Sequence, residues 1–166
     1  MLQLNVLLLE SAKELFDVYG CPLAEIEPQD PTLPVESASR IGFVSNGFKG
    51  TLTIAMDMPL LVHTTPIGDP QDWLRELANQ LLGRFKNKLH CWGIDLAMDT
   101  PVLMCPDHRQ TWLGAHEGRT HHTLHSETGN AHLVMEIAID DAHELEVLCR
   151  EPEHHVFSEG EALLFF

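Results

Sequence analysis

Two sets of residues in this chain are of types that could do chemistry. The first lies in DPQDWLRELANQLLGRFKNKL, residues 69–89, where Glu76 and Asn79 stand three apart and Gly83 follows four later. In a helix that spacing puts a carboxylate, an amide and a bare stretch of backbone on one side. An interior glycine on an exposed face packs nothing of its own and costs the helix about 1 kcal/mol relative to alanine. What it offers is close approach for another backbone or side chain. The pattern is that of a docking face, although an ordinary solvated face with one tolerated glycine has the same residues. The second set is rich in histidine: His108, His116, His121, His122, His125 and His132, with Cys105 just before them. His121 and His125 share a strand face, and imidazole and thiolate are zinc-ligand types. Their spacing forms no recognised pair of ligand pairs, so surface histidines on a hairpin are the preferred reading and no metal centre is expected.

The elements that must position these groups are legible from periodicity. Asp69 suits a helix N-cap, Pro70 the first helical position, and Asp72 the first turn, where the helix dipole favours a carboxylate. At about 100° per residue, Leu74, Leu77, Ala78, Leu81, Leu82, Phe85 and Leu89 form one wide apolar face. Asp72, Glu76, Asn79, Gly83 and Lys86 fall together on the opposite one. Before this helix, DMPLLVHTTPIG holds Pro59 and Pro66, which limit any helix there to about two turns. VLLLESAKELFDVY, residues 6–19, reads as a helix that stops at Gly20. Residues 25–37 carry three prolines and read as an extended connection or edge strand.

RIGFVSNGFKGTLTIAM predicts a hairpin. Ile41 and Phe43 alternate on the way out, Leu52, Ile54 and Met56 on the return, and Asn46-Gly47 is expected to supply the positive φ of a tight turn. LAMDTPVLM looks like a buried strand, and TWLGAHEGR is a weaker strand signal. THHTLHSE and AHLVMEIAI predict a second hairpin around Thr128-Gly129-Asn130, with Leu133, Met135, Ile137 and Ile139 as one inward face. ELEVLCR and EALLFF read as further strands. Helices interrupting hairpins indicate an α+β fold, a mostly antiparallel sheet with long helices packed on it.

At 166 residues the chain is expected to form one domain with a real core. Lys and Arg number 10 against 25 Asp and Glu, so the net charge is −15. Such a surface repels nucleic acid and anionic membrane; a cationic or metal-bearing partner suits it better, although solubility alone also accounts for the charge. The opening MLQLNVLLLESAKELF has no basic region before its apolar run and continues into helical periodicity, so it reads as part of the fold and not as a signal peptide. No apolar run reaches the roughly 20 residues of a transmembrane helix. The cysteines, Cys21, Cys91, Cys105 and Cys149, are widely spaced without a CxxC pair and read as reduced thiols of a cytoplasmic protein.

The full pattern on the helix is D-x-x-x-E-L-x-N-x-x-x-G-x-x-K-x-x-L. In this the chain resembles the CheC/CheX/FliY phosphatases of bacterial chemotaxis, in particular the single-site CheX-like branch. GFKGTLTIAM is similar to the family's G-x-x-x-G-x-L-x-L strand and LAMDTPVLM to its L-S-x-P-x-V strand. The resemblance covers about residues 1–150, with an extra C-terminal strand expected in 151–166. The family has a longer helix where this chain has the Pro-broken link.

The resemblance implies a CheC-like fold and a partner, a phosphorylated CheY-like response regulator, with Mg²⁺ held by that partner and no cofactor of the chain's own. It implies that Asn79 and Glu76 are catalytic and that Asp72, Gly83 and Lys86 contact the partner. Asn79, with an acceptor and a donor that do not titrate, would orient the attacking water. Glu76 would pair with the partner's lysine. It also implies a homodimer. The alternative is a response-regulator-binding or flagellar-switch-type scaffold protein of the same fold without catalysis.

Overall fold

The computed structural model describes residues 2–26, 37–104 and 118–139. Among them the order of elements is α1 (Leu2–Val18), β1 (Ala24–Ile26), β2 (Ser37–Val44), β3 (Phe48–Met56), α2 (Met58–Thr64), α3 (Pro70–His90), β4 (Ala97–Met98), β5 (Val102–Leu103), β6 (Arg119–Ser126) and β7 (Gly129–Ile139). The strands form one sheet in the order β1-β6-β7-β3-β2-β4, with β5 also paired to β2. All pairings are antiparallel. The α+β expectation holds. The strands expected in TWLGAHEGR before Gly118, in ELEVLCR and in EALLFF lie outside the described residues, as do residues 27–36 of the proline-bearing connection, Cys105, Cys149, His108 and His116.

Alternation decides which face of the sheet is the core. Ile41, Phe43, Phe48, Leu52, Ile54, Met56, Leu133 and Met135 are buried on one face, and α1 and α3 pack against it. Ile137 and Ile139 join them only partly buried. From α3 the whole predicted apolar face is buried. At about 1.5–3 kcal/mol for each fully buried Leu or Phe, that face anchors the helix and leaves its polar side outward. Lys88 ties α3 to α1, with Nζ 2.7 Å from Glu14 Oε1 and 3.6 Å from Glu10 Oε2. The hydrogen bond with Glu14 raises the Lys88 pKa.

The first hairpin forms as expected, but its turn works differently. Val44 pairs with Lys49, and the Ser45 N–H donates to the Phe48 carbonyl at 2.8 Å. Neither Asn46 nor Gly47 has a positive φ. With four residues between the paired positions the loop reverses without the mirror-image dihedrals that a two-residue turn demands. The glycine that sterics require is Gly50: a Cβ there would lie 2.4 Å from the Glu136 carbonyl oxygen and 2.6 Å from the Phe43 ring. The second hairpin is also present, with Glu127-Thr128 between its strands.

LAMDTPVLM is not one buried strand. It pairs with β2 in two pieces, Met98 opposite Phe43 and Leu103 opposite Ser39, separated by Asp99-Thr100-Pro101. Ala97 and Val102 are exposed. Pro101 has no N–H to give the ladder, which is tolerable at a sheet edge and not in a buried strand.

On the face away from the helices, the Glu136 carboxylate lies between Arg40, at 3.2 Å, and Arg119, and Arg40 also donates to Thr51. Beside it His121 Nε2 lies 3.4 Å from His132 Nδ1. Burial, then the neighbouring imidazoles of His132 and His122, lower the His121 pKa to about 4. Burial also lowers that of His132.

Candidate functional site

The polar face of α3 begins at a well-formed cap. The Asp69 carboxylate accepts from the Gln71 N–H at 2.8 Å, and Pro70 opens the helix. Asp72 is exposed and ion-paired with Arg75, three residues on. Glu76 is exposed, and its Oε1 accepts from Gln80 Nε2 at 2.9 Å. Asn79 is exposed too, and its amide engages no side chain among the described residues. Around Gly83 an added Cβ would meet nothing within 4 Å. Lys86, half-buried, closes the row.

The five residues therefore share one side of one helix, as the periodicity predicts, but they do not converge on a point. Glu76, Asn79 and Gly83 lie within two turns. Asp72 and Lys86 are separated by 14 residues, a rise of about 21 Å, so one partner meets both only by lying along the helix. Asp72 already has Arg75 as a charge partner, which weakens it as a contact for a second cation.

Behind the row runs a support that sequence reasoning missed. Gln80 Oε1 accepts from the Tyr19 hydroxyl at 2.7 Å. The Tyr19 ring stands edge-to-face on Trp73, with centroids 5.1 Å apart and planes at 88°. Trp73 Nε1 in turn donates to the Thr64 hydroxyl of α2 at 3.3 Å, and Thr64 is buried. The spacing of Glu76 and Gln80, four apart on a helix, was the available local signal.

The described histidines of this set make separate pairwise contacts. His122 Nδ1 lies 2.8 Å from Glu25, His125 Nδ1 lies 2.9 Å from Asn130, and His121 faces His132. Among the described residues no three metal-ligating side chains gather.

No family model matches the sequence, and no curated protein matches it. Solved structures do match in shape. A CheC-like superfamily protein from Shewanella sp. PV-4 aligns with a TM-score of 0.68 at 19% identity, over 83% of this chain and 99% of that one. The chemotaxis protein CheX from Vibrio vulnificus aligns at 0.63 and 22%, over 79% and 93%. The chain has the CheC-like fold. A third CheC-like structure, CheX of Borrelia burgdorferi in a complex with CheY, BeF₃ and Mg²⁺, aligns at 0.60 and 13% identity over 79% of this chain and 95% of CheX. In this chain's version of the CheC-like fold, the link from the first hairpin to α3 is the seven-residue α2. Among the described residues no helix is long and apolar enough to cross a membrane.

Proposed function

We propose that this protein is a phosphatase for the phospho-aspartate of a CheY-like response regulator, and that α3 completes the regulator's active site. The observation that carries the reading is the exposed pair Glu76 and Asn79 beside bare Gly83, on a helix whose other face is wholly buried. A CheX of the same fold that has been solved with CheY supports the choice of partner.

Hydrolysis of an acyl phosphate requires a water held in line with phosphorus, since positioning and electrostatics dominate phosphoryl transfer. The Asn79 amide oxygen accepts one hydrogen bond from that water and so turns a lone pair of the water oxygen toward phosphorus. As the water oxygen bonds to phosphorus, the bond from phosphorus to the aspartyl oxygen breaks. Inorganic phosphate leaves as H₂PO₄⁻, carrying both protons of the water, and the aspartate returns as a carboxylate. Glu76 contributes a charge-assisted contact with a lysine of the regulator, and Gly83 lets the helix lie close. The cation belongs to the regulator and neutralises phosphate charge there. We place the protein in the cytoplasm with its partner. We assign it a homodimer through sheet edges, since among the described residues the sheet ends in short β1 on one side and split β4 and β5 on the other.

The test is the decay of phosphorylated CheY-like regulators with and without the protein. Acceleration with turnover is expected. A protein that instead binds and retains the phosphorylated regulator is the scaffold of the alternative reading.

Gly83→Ala separates stability from docking. The new methyl enters open space, so the helix should gain about 1 kcal/mol and the melting temperature rise by about 2–4 °C. The same methyl stands where the regulator must approach, so a higher protein concentration should be needed for half-maximal dephosphorylation. Unchanged concentration dependence in a stabilised variant would remove Gly83 from the interface.

A further inference from the structure

We infer that Tyr19 and Gln80 are positioning residues that hold the Glu76 carboxylate in its docking rotamer before the regulator arrives. This rests on the reading of α3 as the docking helix. A lone glutamate on a helix surface samples several rotamers, and freezing it on contact weakens binding. Here Gln80 Nε2 donates to Glu76 Oε1 at 2.9 Å, which leaves Oε2 and its lone pairs for an incoming cation. Gln80 would rotate as freely as Glu76 if nothing held it. Its Oε1 accepts from the hydroxyl of Tyr19, in the turn just after α1, at 2.7 Å. Accepting that bond fixes which end of the amide is oxygen, and so aims the NH₂ at the carboxylate.

Tyr19 is itself held in turn. Its ring packs against Trp73, and Trp73 is bonded to Thr64, whose hydroxyl also reaches the Leu60 carbonyl at 3.1 Å inside α2. A side chain on the outer face of α3 is thereby referred to two other helices. Holding one rotamer-rich side chain in advance corresponds to about a two- to tenfold gain in affinity.

The first measurement needs no regulator. In the free full-length protein, the Gln80 side-chain amide resonances should shift in both Tyr19→Phe and Glu76→Ala; if neither variant moves them, the brace does not exist in solution. The second is phospho-regulator decay against protein concentration. Tyr19→Phe and Gln80→Met should raise the half-saturating concentration about two- to tenfold and leave the maximal rate unchanged. In the Glu76→Ala background both should be silent, because they act through Glu76. A fall in maximal rate, or a full effect without Glu76, overturns the inference and points to a packing role. If no regulator is dephosphorylated or bound while the resonances move as expected, the docking reading has failed and the brace has not.

Discussion

Replacing Asn79 with alanine is expected to lower the maximal rate of phospho-regulator hydrolysis by about a hundredfold, with little change in the concentration needed for half of that rate. The magnitude follows from positioning: displacing a reacting group by about 1 Å costs on the order of a hundredfold, and without the amide the water has no fixed place at all. Docking should persist because the proposed docking residues Glu76 and Gly83 are untouched. A loss confined to maximal rate marks an interaction made in the transition state only. Folding should also be unaffected, since Asn79 is exposed and its amide engages no side chain among the described residues. The measurement is single-turnover decay across a range of protein concentrations, with a melting curve as control. If Asn79→Ala works at the wild-type rate, the catalytic assignment is wrong and the scaffold reading takes its place.

Glu76→Ala should fail in the other parameter. A charge-assisted hydrogen bond across the interface is worth about 1.5–3 kcal/mol. At 1.36 kcal/mol per factor of ten, its loss should raise the half-saturating concentration about ten- to a hundredfold. The maximal rate at saturation should stay near that of wild type, because the amide proposed to hold the water, that of Asn79, is untouched. Raised salt should weaken wild-type docking and affect the variant less, since the contact removed is the charged one. Equal losses in rate and in docking would mean that Glu76 acts on the reacting atoms and is not only a register contact.

The contrast between α3 and its surroundings separates what was legible in the chain from what was not. Helix α3 was readable almost in full: cap, proline, seven buried positions and the row from Asp72 to Lys86 all lie where a 3.6-residue period puts them. The hairpin strands β2, β3, β6 and β7 followed equally from alternation with period two. These are local properties, set by the repeat of one element, so neighbouring residues suffice to determine them. The resemblance carried by the same helix and strands is matched by the CheC-like fold.

Other features depend on partners far away in the chain. Asn46-Gly47 suggested a turn with positive φ, but the strand register sets a four-residue loop. LAMDTPVLM has the composition of a buried strand, yet its place at the edge beside β2 splits it and exposes Ala97 and Val102. The order β1-β6-β7-β3-β2 joins strands whose connections no periodicity encodes. By sequence alone this protein determined which residues stand on the open face of α3. Only the packing of α1 and α2 around that helix decided that Tyr19, 61 positions from Gln80, would reach it, because a contact of that separation exists only once both helices are buried on the same sheet.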